Sequence, residues 1–321
     1  MIDEVANDEQ MTRLRKVADI VNKAPTSCEE MVELARDAEA IISSDFPLTS
    51  QVLENAKSLR IIARVGVGYD NIDLDAATKR HIIVTNVPGA LSDSVAEHTI
   101  LLMLAVSRRL VTADRSVRKN EWDEFFQHAP GLELNGKTLG LIGLGAIGRA
   151  VAQRAKAFNM ELLVYDPYLD ESKATGTNFR RVELARLLKE SDIVSIHSPL
   201  TTETKKLIGE RELNLMKGSA ILINTARGAI IDQISLVEAL KNGKIAGAGL
   251  DVLSREPPSQ DDPILTMDNV VLTPHCAAFT LEALRRLWFA CSDAVLRVLD
   301  GELPRPPANI LNPQVIPLLD Q

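Results

Sequence analysis

The sequence has no excess of positive charge and no long apolar run. Its 321 residues include 44 acidic and 36 basic side chains, so the formal net charge is −8. Such a chain offers no broad positive surface to a nucleic acid backbone. No apolar run approaches the roughly 18 residues of a membrane-spanning helix, and Met1-Ile2-Asp3-Glu4 does not begin a secretory signal. We expect no nucleic acid partner, no membrane partner and a cytoplasmic location.

Cysteine is also scarce. Cys28, Cys276 and Cys291 are an odd number of thiols without CxxC spacing. This pattern argues against a disulfide framework and against a zinc site. We expect three reduced thiols and no metal.

The remaining composition is that of a globular protein: 45% of the residues are hydrophobic, and the length suggests two domains. A first α/β series runs to about Asn86, with a helix capped by Ser27 and Glu30 in a capping box. Short β-branched runs separated by helices are typical of a parallel sheet. The predicted strands of this series lie near residues 19–21, 40–42, 61–63 and 82–84, and the predicted helices include 11–17 and 74–79.

A second α/β series follows a long apolar stretch. That stretch, from about Asp93 to Arg118, contains no glycine or proline and predicts one continuous helix. Six strands with intervening helices then suit a doubly wound nucleotide-binding sheet. The predicted strands are 138–142, 162–165, 193–196, 220–223, 247–250 and 270–272, and a last helix covers about 281–298 before a proline-rich end.

A glycine-rich motif lies at the first turn of this second series. The segment Gly143-Leu144-Gly145-Ala146-Ile147-Gly148 follows a predicted strand and opens a predicted helix. In a dinucleotide site the glycines permit a tight turn, close approach of the pyrophosphate and helix packing, and the helix N-terminus faces the phosphates. Asp166 ends the next strand, where a carboxylate can bind the ribose hydroxyls and repel a 2′-phosphate. The motif predicts NAD as the cofactor.

Three polar segments end strands of the same series, at the edge where an open α/β sheet binds its ligand. They contain Arg227, the acids Asp251 and Glu256, and His275. Taken singly, each has an ordinary explanation: a surface ion pair, a solvated loop and a structural histidine. Together they match the reduction of a keto acid, since arginine binds a carboxylate and histidine supplies a proton near neutral pH. A carboxylate beside the histidine would orient the imidazole and keep it protonated.

The sequence resembles the D-isomer-specific 2-hydroxyacid dehydrogenase family, which includes phosphoglycerate, glycerate and glyoxylate/hydroxypyruvate enzymes. The resemblance extends over nearly the whole chain, in family order. It is carried by Gly66–Asp73, Val95–Thr99, Gly143–Gly148, His197–Thr201, Asn224–Gly228, Gly249–Val252, Glu256-Pro257 and Thr273–His275.

The resemblance implies roles for these positions. Arg227, Glu256 and His275 would form the catalytic triad, and the backbone N–H groups of Val67 and Gly68, with Arg227, would bind the substrate. Asp251 would hold the nicotinamide carboxamide, whereas His98 and His197 would be structural. The full set implied to bind NAD is Thr99, Gly143, Gly145, Ala146, Ile147, Gly148, Asp166, Pro199, Thr225, Ala226, Arg227, Asp251 and His275.

The resemblance also implies a domain organisation. A flavodoxin-like substrate domain, residues 1–100 and 285–321, would be interrupted by a Rossmann NAD domain, residues 101–284, through which family members dimerise. Family members begin with a strand, yet only Met1 to Asn7 precede the first predicted helix. We expect either a misassigned or truncated start, or a substrate sheet without that strand. No regulatory domain is expected after Gln321.

Two functions agree with these observations. The first is an NAD-dependent dehydrogenase that interconverts a small 2-keto acid and a D-2-hydroxy acid, with glyoxylate or hydroxypyruvate favoured over a phosphorylated substrate. The alternative is an NADH-sensing binding protein that resembles the C-terminal-binding-protein corepressors, because residues 114–122 and the proline-rich end are similar to that branch. Arg64, if it points inward, or Arg255 could supply the binding of a substrate phosphate.

Overall fold

The computed structural model describes residues 9–127, 130–169 and 178–318, which form an α/β protein with two largely parallel sheets. The helices are α1 (Glu9–Val17), α2 (Cys28–Ala35), α3 (Ser50–Asn55), α4 (Leu74–Lys79), α5 (Ser92–Ser107), α6 (Leu110–Arg118), α7 (Trp122–Phe125), α8 (Ala146–Ala155), α9 (Leu184–Glu190), α10 (Glu210–Leu215), α11 (Gln233–Lys241) and α12 (Leu281–Leu299). The strands are β1 (Ala40–Ser43), β2 (Ile61–Arg64), β3 (Ile83–Asn86), β4 (Thr138–Ile142), β5 (Glu161–Tyr165), β6 (Arg180–Arg181), β7 (Ile193–Ile196), β8 (Ile221–Asn224), β9 (Gly247–Leu250), β10 (Val270–Leu272) and β11 (Asn309–Ile310).

The chain separates into two compact units. The first contains Met1–Leu91 and Phe279–Gln321, and the second contains Ser92–Ala278. Among the helices that the structure describes, none combines the length and the apolar character needed to cross a bilayer.

The first unit is built on a four-stranded sheet in the order β1-β2-β3-β11. Strands β1, β2 and β3 are parallel, and β11 pairs antiparallel with β3. Strands β2 and β3 are buried throughout, which explains their continuous runs of β-branched residues. Strand β11 lies in the proline-rich end, and the sequence patterns did not predict it. Asn312 secures it, because its side chain accepts a hydrogen bond from Val84 N and donates one to Ile82 O.

The predicted strand at residues 19–21 is wrong. These residues lie in coil, and Ile20 and Val21 are 40% and 73% exposed. A β-branched run forms a strand only where a neighbour completes its hydrogen-bond ladder, and no described strand pairs with this one. The segment before residue 9, where the question of a preceding strand arises, lies outside the described residues.

The predicted cap of α2 is half confirmed. Ser27 Oγ accepts a hydrogen bond from Glu30 N at 3.2 Å, as a capping box requires. The Glu30 carboxylate, however, accepts from the N–H and the hydroxyl of Thr26 rather than from Ser27 N. The helix begins where the sequence indicates, with one of the two reciprocal bonds moved by one residue.

The second unit contains a seven-stranded parallel sheet in the order β10-β9-β8-β7-β4-β5-β6. The six predicted strands are present, and the two-residue strand β6 is added at the edge. The strand order reverses between β4 and β7, so the loops that follow these strands flank the switch point where such sheets bind ligands. One apolar core on each side of the sheet encloses it.

The predicted helix from about Asp93 to Arg118 is two helices, α5 and α6, so the expectation of one continuous helix is wrong. Arg109 adopts the left-handed conformation, with φ of 52°, between them. The carbonyl of Ser107 accepts a hydrogen bond from Leu132 N at 2.8 Å instead of continuing the helical pattern. A contact with a distant loop thus breaks a stretch that has no local helix breaker.

Candidate active site

The glycine-rich turn joins β4 to α8, as the sequence predicts. Gly143 has φ of +93°, and a Cβ there would lie 2.9 Å from the backbone of His197 and Ser198. A Cβ on Gly148 would lie 2.4 Å from Gly143 O, so helix α8 packs directly on the turn. At Gly145, by contrast, a Cβ would meet nothing within 4 Å. Two glycines are therefore required by the fold, whereas Gly145 keeps an open approach to the N-terminus of α8, which fits a dinucleotide pyrophosphate.

Asp166 follows β5 beside this turn. One carboxylate oxygen accepts a hydrogen bond from Leu144 N at 2.9 Å, and the other accepts from Tyr168 N at 3.0 Å. Tyr168 in turn donates from its hydroxyl to Glu203, at 2.6 Å, and thereby joins the loops after β5 and β7. The carboxylate is thus fixed at the switch point, where it fits the ribose of a bound NAD.

His275 and Glu256 form a hydrogen-bonded pair. Nδ1 of His275 lies 2.7 Å from Oε2 of Glu256, and both side chains are a little over one third exposed, at 37% and 38%. The other oxygen of Glu256 accepts a hydrogen bond from Leu253 N at 2.9 Å. The carboxylate thus engages Nδ1 of the imidazole and not Nε2.

The pKa of Glu256 is below its ordinary value. Burial alone would raise it, but the hydrogen bonds from His275 and Leu253 N and the positive charges of His275 and Arg227 outweigh burial. Glu256 is therefore ionised at neutral pH. Arg227, the third predicted catalytic residue, acts on this carboxyl through its positive charge, which helps to lower the pKa of Glu256.

Arg227 follows β8 in an ordered turn. Asn224 organises this turn, because its side chain accepts a hydrogen bond from Ala226 N and donates one to the carbonyl of Arg227. The guanidinium donates to Ala226 O at 2.8 Å. Beside the turn, the buried hydroxyls of Thr99 and Thr225 lie 3.0 Å apart and join α5 to the end of β8.

Asp251 lies at the end of β9 and holds the turn that carries His275. Its carboxylate accepts hydrogen bonds from the hydroxyl of Thr273 at 2.6 Å and from the N–H groups of Cys276 and Ala277 at 2.9 Å. Burial opposes ionisation, but these bonds and the contact with His98 lower the pKa of Asp251 to about 2. The resemblance implies that Asp251 holds the nicotinamide carboxamide, but in this structure its carboxylate accepts hydrogen bonds from the protein itself.

The other two histidines of the motifs have internal partners. Nε2 of His197 lies 2.9 Å from the hydroxyl of the buried Ser195, and burial lowers the pKa of His197 to about 4. Nε2 of His98 lies 2.9 Å from the hydroxyl of Thr273 and 3.4 Å from Asp251. His98, Asp251 and Cys276 offer ligand atoms within 4.8 Å of one another, although Asp251 already accepts the hydrogen bonds described above.

Val67 and Gly68, the predicted substrate-binding backbone, belong to the first unit and follow β2. Their carbonyls are tied down, since Asn86 Nδ2 donates to Val67 O at 2.7 Å and Arg64 Nε donates to Gly68 O at 2.9 Å. Arg64 is itself buried and forms an ion pair with Asp45 at 2.9 Å. Its guanidinium therefore supports this loop.

Comparison with known proteins identifies the family of this chain. Residues 100–277 match the family model for the D-isomer specific 2-hydroxyacid dehydrogenase, NAD binding domain. The glyoxylate reductase of Korarchaeum cryptofilum is 44% identical over 299 residues, which cover 92% of this chain and 89% of that protein. The chain belongs to the D-isomer specific 2-hydroxyacid dehydrogenase family. It is an NAD-dependent oxidoreductase.

Two further members illustrate the breadth of this dehydrogenase family. The D-3-phosphoglycerate dehydrogenase of Methanocaldococcus jannaschii is 42% identical over 319 residues, covering 99% of this chain but only 60% of that enzyme. The solved structure of a glyoxylate reductase from Paecilomyes thermophila superposes with a TM-score of 0.85 at 31% identity, covering 95% of this chain and 94% of that one. The family resemblance predicted from the motifs is confirmed, and these relatives give no support to the corepressor alternative.

Proposed function

We propose that this dehydrogenase interconverts a small 2-keto acid and the corresponding D-2-hydroxy acid, with Arg227, Glu256 and His275 as its catalytic residues. The observation that carries the proposal is the 2.7 Å hydrogen bond between His275 and an ionised Glu256 within reach of the charge of Arg227. A cation for the substrate carboxylate and an oriented proton donor are the groups that this reaction requires.

In the proposed reduction, Arg227 binds the carboxylate of the keto acid and the adjacent carbonyl oxygen through its planar guanidinium. When bound, NADH would supply the hydride that the carbonyl carbon receives. Nε2 of protonated His275 donates its proton to the carbonyl oxygen, which becomes the hydroxyl. The negative charge of Glu256 stabilises the protonated imidazole before this transfer, and in the oxidative direction His275 takes the proton back.

The cofactor would lie along the switch point of the second sheet. Gly143, Gly145 and Gly148 would admit the pyrophosphate to the helix N-terminus, and Asp166 would bind the ribose hydroxyls. Pro199, Thr225 and Ala226 follow β7 and β8 and would line the same crevice. The carboxylate of Asp166 would disfavour the 2′-phosphate of NADP.

Within the family we propose a small unphosphorylated substrate, such as glyoxylate or hydroxypyruvate. The glyoxylate reductase of Korarchaeum cryptofilum supports this choice by its name and its similarity. The ion pair of Arg64 with Asp45 and its hydrogen bond to Gly68 O also commit that guanidinium to the loop after β2. A phosphorylated keto acid would need a further cation.

The test is NADH oxidation by the purified protein with glyoxylate, hydroxypyruvate, 2-ketobutyrate and 3-phosphohydroxypyruvate supplied separately. We expect turnover with one of the first two. His275→Asn should lower kcat by about 100-fold or more, since general acid catalysis contributes about that much. Asparagine tolerates the positive φ of 51° at this position, so the turn should persist.

A second test variant and a control accompany this experiment. Arg227→Ala should raise KM for the keto acid and lower kcat, whereas Arg186→Ala, which removes an exposed ion pair with Glu190 on α9, should leave both unchanged. Tight NADH binding without reduction of any keto acid would contradict the proposal and support the NADH-sensing alternative.

We also propose that the protein is a homodimer formed through the second unit. Helices α5 to α7 and the residue that follows them expose large apolar side chains, a feature that marks interaction surfaces. We call this set the α5–α7 patch; it consists of Leu101, Leu110, Val111, Val117, Trp122 and Phe126.

A further inference from the structure

A partly buried hydrogen-bond chain that begins at His98 lies outside the proposed catalytic triad and ends on the turn that carries His275. His98 is on α5, and Thr273 and His275 are in the segment after β10. Nothing in the proposed mechanism uses His98. Its Nε2 lies 2.9 Å from Thr273 Oγ1, and its side chain is largely buried.

The proton on Nε2 of His98 can be assigned from its neighbours. A threonine hydroxyl carries one proton, and that of Thr273 is donated to Asp251 at 2.6 Å. The hydrogen bond between His98 and Thr273 therefore requires that Nε2 of His98 carries the proton and that Thr273 Oγ1 accepts it. The direction of the chain is fixed: His98 donates to Thr273, and Thr273 donates to Asp251.

The end of this chain determines the conformation around His275. Besides the side-chain bonds of Asp251 to the N–H groups of Cys276 and Ala277, the N–H of His275 donates to Asp251 O at 2.8 Å. Consecutive N–H groups around one carboxylate form an anion-binding nest. This nest holds His275 at a φ of 51°, a backbone conformation that is strained for a residue with a side chain.

We propose that His98 is a positioning residue for the dehydrogenase reaction: its Nε2–H fixes the hydroxyl of Thr273 on Asp251 and thereby orients His275 towards Glu256. The inference rests on the proposed function, since it concerns the proton donor of that reaction. Without the His98 proton, the hydroxyl of Thr273 can rotate away, the carboxylate of Asp251 loses a hydrogen-bond donor and the imidazole no longer stays aligned with Glu256.

The first test compares His98→Leu with His98→Gln, because the glutamine amide can restore a donor near the position of Nε2. We expect His98→Leu to lower kcat about tenfold, the size associated with one buried hydrogen bond, with the dissociation constant of NADH changed less than about threefold. His98→Gln should recover most of kcat. Thr273→Val should behave like His98→Leu, and the double variant should lose no more than either single variant, because both remove the same chain.

The pH profile distinguishes positioning from a merely structural role. Reduction needs protonated His275, so the rate falls as pH rises through an alkaline limb. Misalignment from Glu256 disfavours the protonated form and should move that limb of kcat/KM to lower pH in His98→Leu. Ser107→Ala is the matched control, since it removes another buried polar group of α5, for whose Oγ the structure describes no hydrogen-bond partner. It should leave the limb in place.

A second measurement does not depend on turnover. Histidine nitrogen NMR of the wild-type protein, with His98 identified by its loss in His98→Gln, should show a proton on Nε2. An unprotonated Nε2 would overturn the inference, as would a wild-type rate and pH limb in His98→Leu. Equal losses of kcat and thermal stability without rescue by His98→Gln would also overturn it. Failure of the wild-type protein to reduce any keto acid would instead refute the proposed function.

Discussion

At the scale of single residues, a short hydrogen bond in this protein joins two side chains whose properties depend on each other. Glu256 is ionised because His275, Leu253 N and Arg227 offset its burial, and its charge in turn favours the protonated imidazole. The two residues are 19 positions apart in the sequence, so no local pattern predicted their contact, and only the family resemblance implied it. The residue types indicated the chemistry, and the fold provides the distance.

This coupling gives a prediction for Glu256→Gln. The amide can still accept a hydrogen bond from Nδ1–H of His275 but no longer provides the charge that favours protonation. In the reductive direction the alkaline limb of kcat/KM should therefore move to lower pH. A series of initial rates across pH measures it.

Glu190→Gln is the control for this prediction, because Glu190 forms exposed ion pairs with Arg180 and Arg186 away from the triad. Its profile should match that of the wild type. An unchanged profile in Glu256→Gln would show that the carboxylate does not govern the protonation of His275.

At the scale of the elements, local patterns predicted those elements whose stability is local. Strands β4, β7, β9 and β10 have the predicted bounds, and their residues are buried or partly buried in the sheet. The break between α5 and α6, the coil at residues 19–21 and the strand β11 were missed. The break depends on Leu132 and the added strand depends on β3, both of which are distant in the sequence. Residues 19–21 stay in coil because no described strand pairs with them.

The glycine turn between β4 and α8 yields a prediction that compares Gly145 with Gly148. Gly145 has φ of −69° and open space at its Cβ position, so Gly145→Ala should fold normally. The added methyl group would occupy the proposed approach to the pyrophosphate, and the affinity for NADH should fall about tenfold, which corresponds to about 1.4 kcal/mol.

Gly148→Ala should instead lower the stability of the fold. Its methyl group would lie 2.4 Å from Gly143 O, so the variant should lose about 1–3 kcal/mol of folding free energy. Thermal unfolding and NADH titration of both variants test the pair. Unchanged NADH affinity in Gly145→Ala would contradict the proposed position of the pyrophosphate.

At the scale of the whole molecule, the α5–α7 patch is an exposed apolar surface of the second unit, and it is the interface that we propose for the homodimer. Trp122 and Phe126 are 63% and 73% exposed. Apolar side chains exposed in neighbouring helical segments favour association of identical copies, since a closed dimer buries the same surface twice.

We therefore expect sedimentation analysis to show a dimer for the wild-type protein and a monomer for the double variant Trp122→Glu/Phe126→Glu. Burial of two charges in the interface would oppose association. Ile234→Glu is the control, because Ile234 is 78% exposed on α11, outside the patch. A monomeric wild-type protein, or a double variant that still dimerises, would exclude this surface as the interface.

The sequence by itself determined the α/β class, the glycine turn, the cofactor and the chemistry that we propose for Arg227, Glu256 and His275. Those features depend on residue types at short spacings, where backbone geometry and charge act locally. Only the tertiary structure decided that Asp251 holds the turn of His275, that His98 reaches Thr273 across 175 positions and that Arg64 is paired with Asp45. Such contacts depend on which strands and helices become neighbours, and buried polar groups then bind whichever partners the packing places within reach.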